Sequence, residues 1–165
     1  FKVYHYGYKR AFAGKMLYSK EDKSSDNCIE SEINILIHLM HPNIIKIYEY
    51  FEYKGRLIMI FQYCSNGTLK NLIQLGFDIQ RDLINPFMKQ IIEALAYLHD
   101  NQIAHLDIKT TNVFVDNFMR PLLADFGLSC HIEGVEQMNS FSGSFVYRSP
   151  EMIQQLPYDP YKADS

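Results

Sequence analysis

The chain has 165 residues, and its 16 Lys plus Arg against 19 Asp plus Glu give a formal charge of −3. The charges are dispersed rather than massed in a stripe, which argues against a surface that tracks a nucleic-acid backbone. With 47% hydrophobic residues, 12 Tyr and 11 Phe, the composition excludes a disordered chain.

Residues 1 to 18 set aromatic and apolar residues at short intervals around Gly7 and a basic turn, Lys9-Arg10. That pattern predicts two strands joined by a tight connection. The polar stretch Lys20 to Asn27 interrupts it. From Cys28 to Met40, the residues Ile29, Ile33, Leu36, Ile37 and Met40 recur at helical spacing, so an amphipathic helix is expected, stopped before Pro42. Two further strands are expected near Ile44 to Tyr53 and Leu57 to Tyr63, separated by a turn at Lys54-Gly55. Beyond Ser65-Asn66-Gly67 the period changes. A short helix capped by Thr68 and a longer one over Ile79 to His99 follow, the second carrying Leu83, Phe87, Ile91, Leu95 and Leu98 on one face and Pro86 within it. Short apolar runs at Val113 to Val115 and Pro121 to Ala124 then alternate with polar loops. A strand-rich part therefore ends near residue 62, a helix-rich part follows, and Gln62 to Gly67 joins them. A cleft between two such parts is a natural ligand site.

The cysteines Cys28, Cys64 and Cys130 are odd in number and far apart, which fits a reducing compartment better than a disulfide framework. They make no zinc spacing with the six histidines. There is no apolar run of about 18 residues and no signal-peptide pattern. The expectation is a cytoplasmic, or otherwise intracellular, chain with neither nucleic acid nor membrane as partner.

The most specific chemistry lies in His105-Leu106-Asp107-Ile108-Lys109-Thr110-Thr111-Asn112, followed thirteen residues later by Asp125-Phe126-Gly127. Two acids and an amide at those intervals can orient a hydroxyl and hold Mg²⁺ against a nucleotide triphosphate, as phosphoryl transfer requires. Asp107 is the candidate to orient or receive the hydroxyl proton, and Lys109 to offset charge on the transferring phosphoryl group. Asn112 and Asp125 are the candidate metal ligands, one neutral and one charged oxygen donor. His105, between Ala104 and Leu106, reads as a packed structural histidine.

These motifs resemble the protein kinase family, and the resemblance runs in order through the chain. Ala13-Gly14-Lys15 resembles the family's Ala-x-Lys, Glu32 its partner glutamate, and His41-Pro42-Asn43-Ile44 the segment after that helix. Leu57 to Tyr63 resembles the strand into the hinge, with Phe61 as gatekeeper and Tyr63 and Cys64 where the backbone binds adenine. Gly143 to Glu151 is similar to the end of the activation segment, with Ser149 in place of Ala, and Asp164 to the buried aspartate of a large-lobe helix. Lys109 and the hydroxyl of Ser144 favour the serine/threonine branch. The resemblance implies an α+β, bilobal fold: an antiparallel-sheet lobe with one helix (1–62), a hinge (63–67) and a partial helical lobe (68–165). It implies ATP and Mg²⁺ as cofactors, a protein Ser or Thr hydroxyl as acceptor, and a nucleotide site of Val3, Ala13, Lys15, Glu32, Phe61, Tyr63, Cys64, Phe114 and Asp125.

Two departures qualify that pattern. Leu106 replaces the arginine of the common His-Arg-Asp, which removes one partner for an activation-loop phosphate at Ser140 or Ser142 and makes activation by phosphorylation dispensable. Phe1-Lys2-Val3-Tyr4 resembles the tail of the glycine-rich loop without its glycines, which either precede Phe1 or are absent from a degenerate loop. The chain also stops where a long helix is expected, so the 165-residue piece alone is expected to unfold without cooperativity. Two alternatives stay open: a kinase-fold scaffold without turnover, and a kinase of small molecules.

Overall fold

The computed structural model describes residues 1–18, 23–76, 81–134, 136–139 and 143–164. Strands β1 (Lys2–His5), β2 (Arg10–Tyr18), β3 (Ile47–Tyr53) and β4 (Arg56–Gln62) form one antiparallel sheet in the order β1-β2-β4-β3. Lys54 (φ 52°) and Gly55 (φ 68°) both adopt left-handed backbone, the requirement of the two-residue turn whose twist suits a hairpin. The fold is thus mixed α+β with an antiparallel N-terminal sheet, as the sequence predicts.

Helix α1 (Lys23–His38) begins five residues before the predicted Cys28. No Gly or Pro occurs in 23–28, so no residue there breaks the helix. Its buried stripe is rotated from the predicted one. Glu32, Ile33, Ile35 and Leu36 are buried, whereas Ile37 and Met40 are exposed. At its C-terminus a ring N–H of His38 donates to the Asn34 carbonyl one turn back at 2.7 Å.

The strand predicted from Ile44 starts only at Ile47, because residues 43–45 are used elsewhere. Ile45 N–H donates to Leu123 O and Leu123 N–H to Asn43 O, both at 2.8 Å, stitching the first part of the chain to the second. Asn43 strengthens the joint, donating its amide to Pro121 O at 2.8 Å and Gln90 Oε1 at 2.9 Å.

In the second part, Thr68 caps α2 (Leu69–Gln74) through a reciprocal capping box with Asn71. Helix α3 (Arg81–Asp100) buries Phe87, Ile91, Ala94 and Leu98 and carries Pro86 near its start. The predicted start at Ile79 lies outside the described residues. The hairpin β6 (Val113–Val115) and β7 (Pro121–Leu123) packs against α3, and β5 (Ile103–Ala104) pairs with β8 (Cys130–His131). A 3₁₀ turn (Phe145–Tyr147), α4 (Pro150–Ile153) and α5 (Pro160–Ala163) follow. One buried cluster runs from Ile35, Met59 and Phe61 in the first part to Leu98, Leu123 and Phe126 in the second. No helix among the described residues is long and apolar enough to cross a membrane.

Candidate active site

A cleft of about 640 Å³ opens between the sheet and the second part. Ala13, Lys15, Glu32, Phe61, Tyr63, Cys64, Asn112, Phe114 and Asp125 all line it. Val3 does not. It pairs with Phe12, on the sheet face opposite Ala13, while Lys2 pairs with Ala13 and sets its ammonium 4.6 Å from the Tyr63 ring centroid. Ile45, Thr111 and Ala124 also line the cleft, and the sequence reading did not single them out. The position of Ala124 beside Asp125 was the signal for it; Ile45 and Thr111 carried none.

Alternation along β2 turns Ala13 and Lys15 to one face, and α1 presents Glu32 to the same space. Lys15 Nζ donates to both Glu32 oxygens, at 2.7 and 2.9 Å, and to Asp125 Oδ1 at 3.2 Å. Burial draws the Lys15 pKa down, but the charges and hydrogen bonds of Glu32 and then Asp125 outweigh it and leave the group raised above 10.5. The ammonium is therefore fixed and charged at the cleft wall. Cys64 contributes a different surface: burial first, then Asp116, pushes its thiol up to about 12, so it lines the cleft as an inert apolar group.

The second half of the site is built by the β6–β7 hairpin. Ala124 N–H donates to Asn112 O at 2.9 Å, extending the ladder by one pair and setting Asn112 next to the residue before Asp125. Asn112 Nδ2 donates to Asp107 O at 3.0 Å and Asp107 Oδ2 at 2.8 Å. Lys109 Nζ donates to Asp107 Oδ2 at 2.6 Å and to Ser144 Oγ at 2.8 Å. Desolvation alone raises the Asp107 pKa, but the hydrogen bonds of Lys109 and Asn112 and the Lys109 charge bring it below 3.8. Asp107 is thus an ionised acceptor at neutral pH.

Beneath this loop His105 is fully buried and its pKa is lowered by that burial, against the opposing charge of Asp164. The neutral ring donates Nε2–H to Ala124 O at 3.2 Å and accepts Asp107 N–H at Nδ1, 3.3 Å. Its edge meets Phe126 with centroids 4.8 Å apart. Buried Asp164 accepts the N–H groups of His105 and Leu106, both at 2.7 Å. Leu106 (φ 62°) and Asp125 (φ 64°) hold left-handed backbone without being glycine, strain of the kind that clusters where a site over-determines the chain.

A family profile described as "Protein kinase domain" matches residues 1–165. The chain belongs to the protein kinase family. It is 35% identical over 161 residues to NUAK family SNF1-like kinase 1 of Mus musculus, which covers 93% of this chain and 24% of that protein. It is 34% identical over 137 residues to NUAK family SNF1-like kinase 2 of Homo sapiens, 83% of this chain and 22% of the other. Against "Probable serine/threonine-protein kinase KCC4" of Saccharomyces cerevisiae it is 33% identical over 157 residues, 94% of this chain and 15% of that protein. This kinase chain spans about a quarter or less of the length of those relatives.

The donor set of the kinase cleft fits a nucleotide with Mg²⁺. Asn112 spends both hydrogen bonds of its Nδ2 on Asp107, its Oδ1 accepts a long 3.4 Å bond from the Thr111 hydroxyl and keeps a second lone pair for a ligand, and the Asp125 carboxylate is 48% exposed. One amide and one carboxylate oxygen suit a hard cation whose remaining ligands come from water and phosphate. Among the described residues no three His, Cys, Asp or Glu gather to hold a metal by themselves.

Proposed function

We propose that this chain is the catalytic part of a protein serine/threonine kinase, which moves the γ-phosphoryl group of ATP to a Ser or Thr hydroxyl of a protein inside the cell. Its lobes would be residues 1–62 and 68–165, joined by a hinge at 63–67. The observation that carries this reading is Asn112, whose amide grips Asp107 while its backbone pairs with Ala124, one residue before Asp125. An acceptor-side acid and a nucleotide-side acid are thereby tied through one residue.

Asn112 and Asp125 would hold Mg²⁺, which when bound offsets phosphate charge. Lys15, anchored by Glu32, would bind the α and β phosphates. Phe61, Tyr63, Cys64, Phe114 and Ala13 would enclose the base. Asp107, ionised, would accept a hydrogen bond from the incoming hydroxyl and fix its direction, and Lys109 would offset charge on the transferred group. Positioning and electrostatics supply most of the rate in such reactions. Ser144, within 2.8 Å of Lys109 Nζ, ties the activation segment to that lysine. The contact needs no phosphate, consistent with Leu106 in place of arginine; Ser140 and Ser142 lie outside the described residues.

The test is transfer from γ-labelled ATP by the full-length protein to three acceptors: Ser/Thr peptides, Tyr peptides and small polyols. Label in Ser/Thr peptides, abolished in Asp107→Asn, is the expected result. Label only in polyols would contradict a protein acceptor. ATP binding without label anywhere would contradict catalysis and favour a nucleotide-binding scaffold.

A further inference from the structure

On the sheet face turned away from the core, four aromatic rings form a row that the proposed reaction does not use. His5 stacks on Tyr8 at 4.4 Å and meets Phe12 edge-on at 6.5 Å; Phe12 meets Tyr48 edge-on at 5.2 Å. Tyr48 reaches the row because the pairing of β3 shifts between Ile47 and Glu49, and such a bulge re-aims a side chain. Two cations crown it. The Arg10 guanidinium lies 5.8 Å from the Phe12 ring centroid and 5.9 Å from that of Tyr48, and Lys46 Nζ lies 5.4 Å from Tyr48. Among the described residues neither cation makes an ion pair with a carboxylate, and exposed Glu49, next to Tyr48, joins neither. Tyr8 is 75% and Tyr48 42% exposed. The hydrogen bond from Gln62 N–H to Lys46 O, 2.9 Å, sets this ledge at the hinge end of the sheet.

We propose that this ledge docks an acidic peptide segment of a partner protein, with an Asp or Glu carboxylate between Arg10 and Lys46 and a neighbouring apolar side chain against Tyr48. Charge complementarity selects the occupant. A guanidinium fork matches a carboxylate in two hydrogen bonds, and the rings offer amphipathic area at small entropy cost. A nucleic acid would call for a longer track of cations, and a second copy of this face would oppose like charges. The docking is independent of the proposed reaction, since Arg10, Lys46 and Tyr48 are absent from the cleft wall.

The test is fluorescence anisotropy of the full-length protein titrated with a labelled peptide of Glu and Phe. Saturable binding weakened by added salt is expected. It should fall at least about ten-fold in the double variant Arg10→Gln with Lys46→Gln and in Tyr48→Ala, with ATP affinity unchanged. The surface double variant keeps the test valid if Tyr48→Ala fails to fold. Equal binding by the double variant, equal binding of a Lys-and-Phe peptide, or tighter binding of a labelled oligonucleotide or a phosphopeptide would each overturn the proposal.

Discussion

In the proposed reaction nucleotide affinity turns on Lys15, whose ammonium three carboxylate oxygens from α1 and the Asp125 loop hold within 3.2 Å. Lys15→Met should lower ATP affinity of the full-length protein about ten-fold or more by removing a charge-assisted phosphate contact, and should also lower the melting temperature, because buried Glu32 loses its partner. Equal affinity measured by calorimetry would remove Lys15 from the nucleotide site. Asp107 sets the pH behaviour. The hydrogen bonds of Lys109 and Asn112 and the Lys109 charge outweigh desolvation and hold its pKa below the ordinary 3.8, so it stays anionic across the neutral and mildly acid range. A kcat profile of the full-length protein should accordingly stay flat from pH 7 down to pH 5; a fall in kcat with a midpoint in that range would contradict the ionised form. At this scale the spacing and family likeness singled out Lys15, Glu32, Asn112 and Asp125, which line one cleft, and Asp107, which is bonded to Asn112. Val3 was not legible. A shift of one residue in strand register exchanges the two faces, and the pairing that sets Lys2 opposite Ala13 leaves no mark in composition.

The loop of residues 105–112 and the segment at Gly143 meet through backbone geometry. Gly143 has φ +93°, and an added Cβ there would stand 3.0 Å from Leu106 O. Gly143→Ala should destabilise the domain by about 1–3 kcal/mol through strained backbone and lower kcat by displacing Ser144 from Lys109. A denaturation midpoint and kcat both equal to wild type would refute this coupling. The loop also rests on His105, whose buried ring is neutral. Its folded pKa is below 6.5, so the unfolded chain takes up the proton first. The stability this contributes is fully present above pH 6.5 and is lost as pH falls through the lowered value. Urea unfolding between pH 7.5 and 5.5 should lose stability, and His105→Gln should flatten that dependence; an unaltered slope would assign the effect elsewhere. Elements were legible where periodicity was strong, as in α3 and the Lys54-Gly55 hairpin. The stripe of α1 was misread because Glu32 is buried in its bond to Lys15 and Ile35 in the cluster that holds Met59 and Phe126, where the apolar pattern alone pointed to Ile37.

Across the described residues, the two parts that form the cleft are joined not only by the connecting segment 63–67 but also by the pairing of residues 43–45 with Leu123. This second joint sits beside Asp125, so lobe geometry and the position of that carboxylate are linked. The sequence indicated two parts and a cleft between them but not this stitch, since Ile44 and Ile45 look like the start of a strand. Lys15 and Glu32 come from one side of the cleft and Asn112 and Asp125 from the other, Asp107 lies behind Asn112 and is bonded to it, and the central claim is that they act as one unit. Single-turnover transfer from ATP with Mg²⁺ to a Ser peptide tests this most directly, using the full-length protein, Asp107→Asn, Asp125→Asn and the double variant. Each single change should slow transfer at least about 100-fold, and the double variant should be scarcely slower than the worse single one, as for groups that act together. A full rate in Asp125→Asn, or losses that multiply in the double variant, would contradict the account.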